Sequence, residues 1–192
     1  ALAMEGTAII ISPLISLMKD QVDALTALGI AATYINSSLS MPEQKDRVAN
    51  MRNGAYTFVY IAPELLESDY FLHILHQINI SLVAFDEAHC ISQWGHDFRP
   101  SYRSIVATLK EVPHIPLYVA LTATATKDVT RDIQNLLDID NDQVVQTGFE
   151  RENLHFHVVK GRDKTSYVED FLKERKNDSG IIYATTRKQV DT

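Results

Sequence analysis

An α/β fold with a doubly wound parallel sheet is predicted by three observations. Short apolar runs of strand length alternate with amphipathic helical patterns from one end of the chain to the other. Those runs are nearly continuous in apolar residues, as in strands covered on both faces. The 192 residues are 45% hydrophobic and 22% charged, enough for one domain with a sizeable core and a fragment of a second.

Thr7–Ser12 is the first expected strand, stopped by Ser12-Pro13. Leu14–Leu28 comes next as an amphipathic helix with Leu14, Leu17, Met18, Val22, Leu25 and Leu28 on one side, and Gly29 ends it. Ala31–Ile35 is a second strand. Ser40 then caps a helix with Glu43 three positions on, the spacing of a capping box, and that helix runs to about Gly54. Tyr56–Ala62 is a strand, Tyr70–Ile78 a helix, and Ser81–Phe85 a strand that is wholly apolar after its first residue. A helix over Tyr102–Val112, a strand over Leu117–Leu121 and a helix over Lys127–Leu137 continue the alternation. Around Val144–Leu154 the pattern turns polar and extended, which places a domain boundary near residue 150. Beyond it a strand is expected at Leu154–Val159, a helix at Ser166–Arg175, a strand at Gly180–Ala184 and a further helix from Arg187.

The formal net charge is −7, so any contact with a polyanion must be local rather than carried by bulk electrostatics. The residues from Arg151 onward hold nine Lys/Arg against seven Asp/Glu, so the acidic excess lies in the first part. No run approaches the roughly 18 apolar residues of a membrane span, and no basic-then-apolar leader opens the chain. A single cysteine, Cys90, excludes an intramolecular disulfide and fits a reducing cytoplasm.

The chemistry concentrates at Asp86-Glu87-Ala88-His89, at the carboxyl end of the most apolar strand. Ligands of open parallel sheets bind at that end. There an Asp can hold Mg²⁺ beside nucleotide phosphates, and an adjacent Glu can orient an attacking water. An isolated Asp-Glu pair more often simply ends a strand in solvent, but the residues after His89 reverse that judgement. Cys90-Ile91-Ser92-Gln93-Trp94-Gly95-His96-Asp97-Phe98-Arg99-Pro100 puts the only Trp, a Phe, an Arg and a Gly into a loop. Aromatic faces and guanidinium planes stack unpaired bases, although Trp94 and Phe98 could instead plug the core.

The run Asp86–Pro100 resembles the DEAH box and aromatic-rich loop of RecQ-family DNA helicases. Ser12-Pro13-Leu14-Ile15-Ser16-Leu17-Met18-Lys19-Asp20-Gln21 resembles motif Ia of that family. Tyr60-Ile61-Ala62-Pro63-Glu64 resembles motif Ib, Ala120-Leu121-Thr122-Ala123-Thr124-Ala125 motif III, and Gly180-Ile181-Ile182-Tyr183 with Arg187 motif IV. The family usually has Arg where motif Ib here continues with Leu65, and the connector reads Phe149-Glu150-Arg151-Glu152-Asn153-Leu154.

The resemblance implies a RecA-like lobe over residues 1–150 and the start of a second over 151–192. It implies an ATP-dependent helicase moving 3′→5′ on single-stranded DNA, unwinding duplex DNA in repair and recombination, with ATP and Mg as cofactors and a cytoplasmic or nucleoid location. Asp86 would hold Mg, Glu87 would act as general base, and His89 with Thr122 and Thr124 would link hydrolysis to the DNA side. Trp94, Phe98 and Arg99 would sense single-stranded DNA. Ser12, Pro13 and Lys19 would contact its backbone, although Lys19 reads equally well as a solvated helix charge. His96 reads as structural rather than as a metal ligand.

No G-x-x-x-x-G-K-[ST] phosphate loop occurs in the chain, so these residues alone are expected to be inactive. The strand that normally precedes such a loop is absent too, and the remaining strands are expected to flank a vacant slot. An RNA helicase sharing the DEAH signature and a catalytically dead nucleic-acid-binding module stand as alternatives.

Overall fold

The computed structural model describes residues 1–95, 97–112, 115, 117–147 and 153–186. His96, most of the connector from Gly148 to Glu152, and Arg187 therefore lie outside the described residues. Two compact units are distinguished, Ala1–Val145 and Gln146–Thr192.

Five strands form the sheet of the first unit: β1 (Thr7–Ile11), β2 (Ala32–Ile35), β3 (Phe58–Ile61), β4 (Ile80–Phe85) and β5 (Tyr118–Ala120). Their order is β2-β3-β1-β4-β5, and every pairing is parallel. The expected vacant slot does not occur. All five strands are joined without interruption, so a further strand could only add at an edge.

Helices α1 (Ile15–Ala27), α2 (Met41–Arg52), α3 (Asp69–Leu75), α4 (Pro100–Lys110) and α5 (Lys127–Leu137) fall between or after the strands. The capping box of α2 is present, with Glu43 Oε2 accepting from the Ser40 amide at 2.9 Å. The Ser40 hydroxyl and that amide together hold the Glu43 carboxyl below its ordinary range. Thr126 caps α5 by accepting from the Val129 amide at 3.4 Å. Short 3₁₀ turns at Pro63–Glu67, Ala88–Ile91 and Asn141–Gln143 were not legible in the sequence pattern.

Strand register decides which side chains enter the core. Ile9, Val59 and Val83 are in register, as are Ile11, Ile61 and Phe85. These residues pack with Val48 and Met51 of α2, Phe71 and Leu75 of α3, Tyr102 and Leu109 of α4, and Ile133 of α5. The alternate positions Ala8, Leu82 and Ala84 form a smaller cluster with the partly buried Ile10, Phe58 and Val119. The apolar stripe expected on α1 is only partly used: Met18 and Val22 are buried, whereas Leu14, Leu17 and Leu28 are exposed.

In the second unit α6 (Lys164–Glu174) forms, its start capped by Asp163, which accepts from the Ser166 amide at 2.9 Å. The expected strands at 154–159 and 180–184 do not form. Phe156, Val158, Ile181 and Tyr183 are strongly exposed there. Two isolated strands and one helix bury too little apolar surface to offset the ordering of an extended backbone. Among the described residues no helix is long and apolar enough to cross a membrane.

Candidate functional site

The chain leaves β1 toward β2 on one side of the sheet and leaves β4 toward β5 on the other, yet β1 and β4 are neighbours. Their carboxyl ends therefore flank a switch point, where open parallel sheets present a crevice to ligands. Ser12 lies just beyond β1 and Asp86 just beyond β4. The Ser12 hydroxyl, itself buried, donates to Asp86 Oδ2 at 2.9 Å, while the Glu87 amide donates to Asp86 Oδ1 at 3.0 Å. The Asp86 amide continues the ladder by donating to the Ile11 carbonyl at 2.9 Å. The carboxylate is thus fixed on both oxygens at the end of a strand buried throughout.

Glu87 adopts a left-handed backbone, φ 49° and ψ 46°. For a residue with a Cβ that conformation costs roughly 1–2 kcal/mol, and such strain concentrates at functional sites. It reverses the chain at once into the buried 3₁₀ turn at Ala88–Ile91. There the Ala88 amide donates to the Leu121 carbonyl at 2.8 Å, tying the turn to the end of β5. The same reversal brings Glu87 Oε2 within 3.2 Å of His89 Nδ1.

His89 Nδ1 also lies 3.1 Å from Thr122 Oγ1. A carboxylate only accepts, so the proton belongs on Nδ1, which donates toward Glu87 and Thr122 together. The Thr122 hydroxyl is then oriented outward, donating to the Thr124 carbonyl at 3.3 Å while accepting from the Thr124 amide at 3.2 Å. Ser12, Asp86, Glu87, His89, Thr122 and Thr124, drawn from three separated segments, therefore form one connected polar array.

The loop beyond His89 is folded back on itself. The Gly95 amide donates to the Ser92 carbonyl at 2.9 Å, the Trp94 amide to Ser92 Oγ at 3.2 Å, and the Arg99 amide to the Cys90 carbonyl at 3.0 Å. A Cβ on Gly95 would overlap the His89 carbonyl oxygen, so only glycine permits this approach. Trp94 is 66% exposed and Phe98 36% exposed. The core-plug alternative therefore fails for Trp94. Arg99 pairs with Asp97 at 3.1 Å, a contact no sequence spacing signalled.

Two of the anticipated backbone-contact residues stand apart from the polar array. Pro13 is half-buried beside Ser12. Lys19 lies on the exposed side of α1, 2.7 Å from Asp23 one turn on, and that hydrogen bond and charge raise its ammonium pKa.

His89, Cys90 and Asp97 place donor atoms within 4.8 Å of one another. The Cys90 thiol, however, is pushed up to about 11, first by burial and then by the Asp97 charge. A thiol must lose its proton to bind a metal, so this trio is a poor site. The oxygen-only set at Asp86 suits a hard cation better.

The sequence profile of DEAD/DEAH box helicases matches residues 2–133. An ATP-dependent DNA helicase RecQ from Bacillus subtilis (strain 168) is 53% identical over 191 residues, covering 100% of this chain and 32% of the relative. Another from Pasteurella multocida (strain Pm70) is 41% identical over 191 residues, covering 100% of this chain and 30% of the relative. The chain thus spans about a third of the length of these curated relatives. Among solved structures, the C-terminal domain of the DEAD-box protein Dbp5 superposes with a TM-score of 0.50 at 12% identity, covering 71% of each chain. That likeness concerns the fold alone.

Proposed function

The chain belongs to the DEAD/DEAH box helicase family, and from that premise we propose that it forms most of the first motor lobe, residues 1–150, and the start of the second, residues 151–192, of an ATP-dependent DNA helicase of RecQ type. Such a protein would hydrolyse ATP to move 3′→5′ along single-stranded DNA, in the cytoplasm and on the nucleoid if bacterial, serving repair and recombination. The observation that carries this reading is the array linking Asp86 and Glu87 to Thr122 through His89. It sits at the switch point and continues directly into the loop bearing Trp94.

Asp86, with Ser12 beside it, would hold magnesium, which when bound would offset charge building on the phosphate oxygens. Glu87 acts on water. Its Oε2 is held by His89, leaving the second carboxylate oxygen to accept a proton from the attacking water. Thr122 and Thr124, at the other end of the array, pass a displacement of the DNA side back to His89. Trp94, Phe98 and Arg99 meet the unpaired strand through their exposed faces.

The deciding experiment is DNA-stimulated ATP hydrolysis and strand separation by the full-length protein. Glu87→Gln should abolish both while nucleotide still binds. Equal stimulation by RNA would overturn the DNA assignment, and turnover surviving Glu87→Gln would overturn the role given to Glu87.

A further inference from the structure

Trp94 does not project into open solvent alone. Beside it α5 presents Asp128, Arg131, Asp132 and Asn135, which at spacings of three, four and seven share one helix face. Together these five side chains line a cleft of about 320 Å³, within the range of about 300–1,000 Å³ typical of small-ligand sites. No motif marks this face in the sequence, although its polar stripe is visible there.

The charges in the cleft are specific. Arg131 Nη1 is already engaged by Asp128 at 3.3 Å. Asp132 lines the cleft with no ion-pair partner among the described residues, and its Oδ2, which no solvent reaches, has no hydrogen-bond partner either. A carboxylate lining a cleft with no cation paired to it favours a group that brings an N–H donor. Two carboxylates against one guanidinium repel a phosphate. A flat, uncharged group with N–H donors fits instead, its face on the indole and its edge on α5.

We propose that this cleft receives one unpaired nucleobase of the bound strand, stacked on Trp94, and that Asp132 and Asn135 favour bases carrying an exocyclic amine over thymine and uracil. Cytosine, adenine and guanine each offer an amino group to the carboxylate. Thymine presents one ring N–H flanked by two carbonyl oxygens, which the carboxylate repels. This inference rests on the helicase reading, since it assumes a single strand crossing the lobe near the aromatic loop. It goes beyond it by adding α5 as a wall of the site and a preference among bases.

Trp94 is the only tryptophan of these 192 residues, and the emission lost in Trp94→Phe reports on the cleft directly. The full-length protein is titrated with oligo-dC, oligo-dT and oligo-dU, tracking the emission that Trp94→Phe removes, while anisotropy of labelled DNA measures total binding. Oligo-dC should quench at about fivefold lower concentration than oligo-dT, a modest value for one hydrogen bond to a charged group. Oligo-dU, lacking the methyl group, should behave like oligo-dT. Asp132→Asn should bring the ratio close to one, and Asn135→Ala should weaken oligo-dC selectively. Neither residue belongs to the apolar core, and an unchanged melting curve shows that the variants remain folded. Equal quenching by all three oligonucleotides, unaltered in Asp132→Asn and Asn135→Ala, overturns the cleft while leaving the helicase reading intact. Absence of any DNA binding by the full-length protein in the same anisotropy assay overturns the helicase reading, and the inference with it.

Discussion

His89 Nδ1 lies 3.1 Å from Thr122 Oγ1, a hydrogen bond that spans 33 residues of sequence and joins the turn after β4 to the end of β5. Because the same nitrogen faces Glu87 Oε2 at 3.2 Å, the rotamer of Thr122 and the orientation of the proposed general base are mechanically connected.

Thr122→Val keeps the shape of the side chain and deletes the hydroxyl. In the full-length protein it should lower DNA stimulation of ATP hydrolysis by about tenfold, the scale of a hydrogen bond lost in an array acting as a unit. Nucleotide affinity should be unchanged. A steady-state ATPase titration with DNA, paired with a nucleotide-binding isotherm, separates the two effects; an equal loss in both would make Thr122 a binding residue.

Gly95→Ala tests the fold of the loop. The added Cβ would meet the His89 carbonyl oxygen, so the turn must open and carry Trp94 with it. A destabilisation of about 1–3 kcal/mol is expected from forcing a close contact apart. Trp94 emission should shift as the indole changes surroundings. Thermal melting and fluorescence of the variant check both.

Tyr102→Phe should stabilise the fold. The Tyr102 ring is fully buried in the core, its hydroxyl has no hydrogen-bond partner among the described residues, and burial holds its pKa far above the ordinary value. Removing an unsatisfied buried hydroxyl is worth about 1 kcal/mol. Urea unfolding should show a higher midpoint at unchanged slope; a lower midpoint would mean the hydroxyl is satisfied in solution.

Cys90 supplies a pH dependence. Burial and the Asp97 charge raise its thiol from 9.0 to about 11, so the folded state holds the proton more tightly than the unfolded chain does. The stability this contributes is complete below the unfolded value of 9.0 and is lost as pH rises from there toward about 11. Modification by a thiol reagent at mildly alkaline pH, below that window, should accordingly wait on unfolding. Rapid labelling of the native chain under those conditions would contradict the assigned burial.

The 192 residues in isolation should associate. β5 is an edge strand of three residues, and the sheet face bearing Ile10, Phe58 and Val119 is only partly covered. Unpaired edges and uncovered apolar surface favour contact with a second copy. Light scattering at rising concentration should show it, whereas a monodisperse monomer with a cooperative high-temperature melt would show that the short edge is protection enough.

How much of this was legible in the sequence depended on range. The apolar run Ser81–Phe85 ending in Asp86-Glu87 announced both a buried strand and where its carboxylates would stand, because burial and strand geometry are local. The bond from Ser12 to Asp86 and that from His89 to Thr122 are products of topology, and no spacing encodes them. Glu87 gives no local sign of a left-handed backbone, as a Gly or Asn would. At 154–159 and 180–184 the pattern was that of strands, but a strand exists only with a partner to complete its ladder. Trp94 shows the opposite limit: composition identified it, and only the fold could decide between a plug and an exposed face.

The left-handed backbone at Glu87 has a consequence for anyone who would engineer this chain. A library randomised at position 87 and sorted only by melting temperature would enrich glycine and asparagine, which adopt φ near 49° at little cost. Every clone so enriched would have discarded the carboxylate. Ruggedness and turnover therefore pull this single position in opposite directions, and a screen blind to activity would select against the chemistry it meant to preserve.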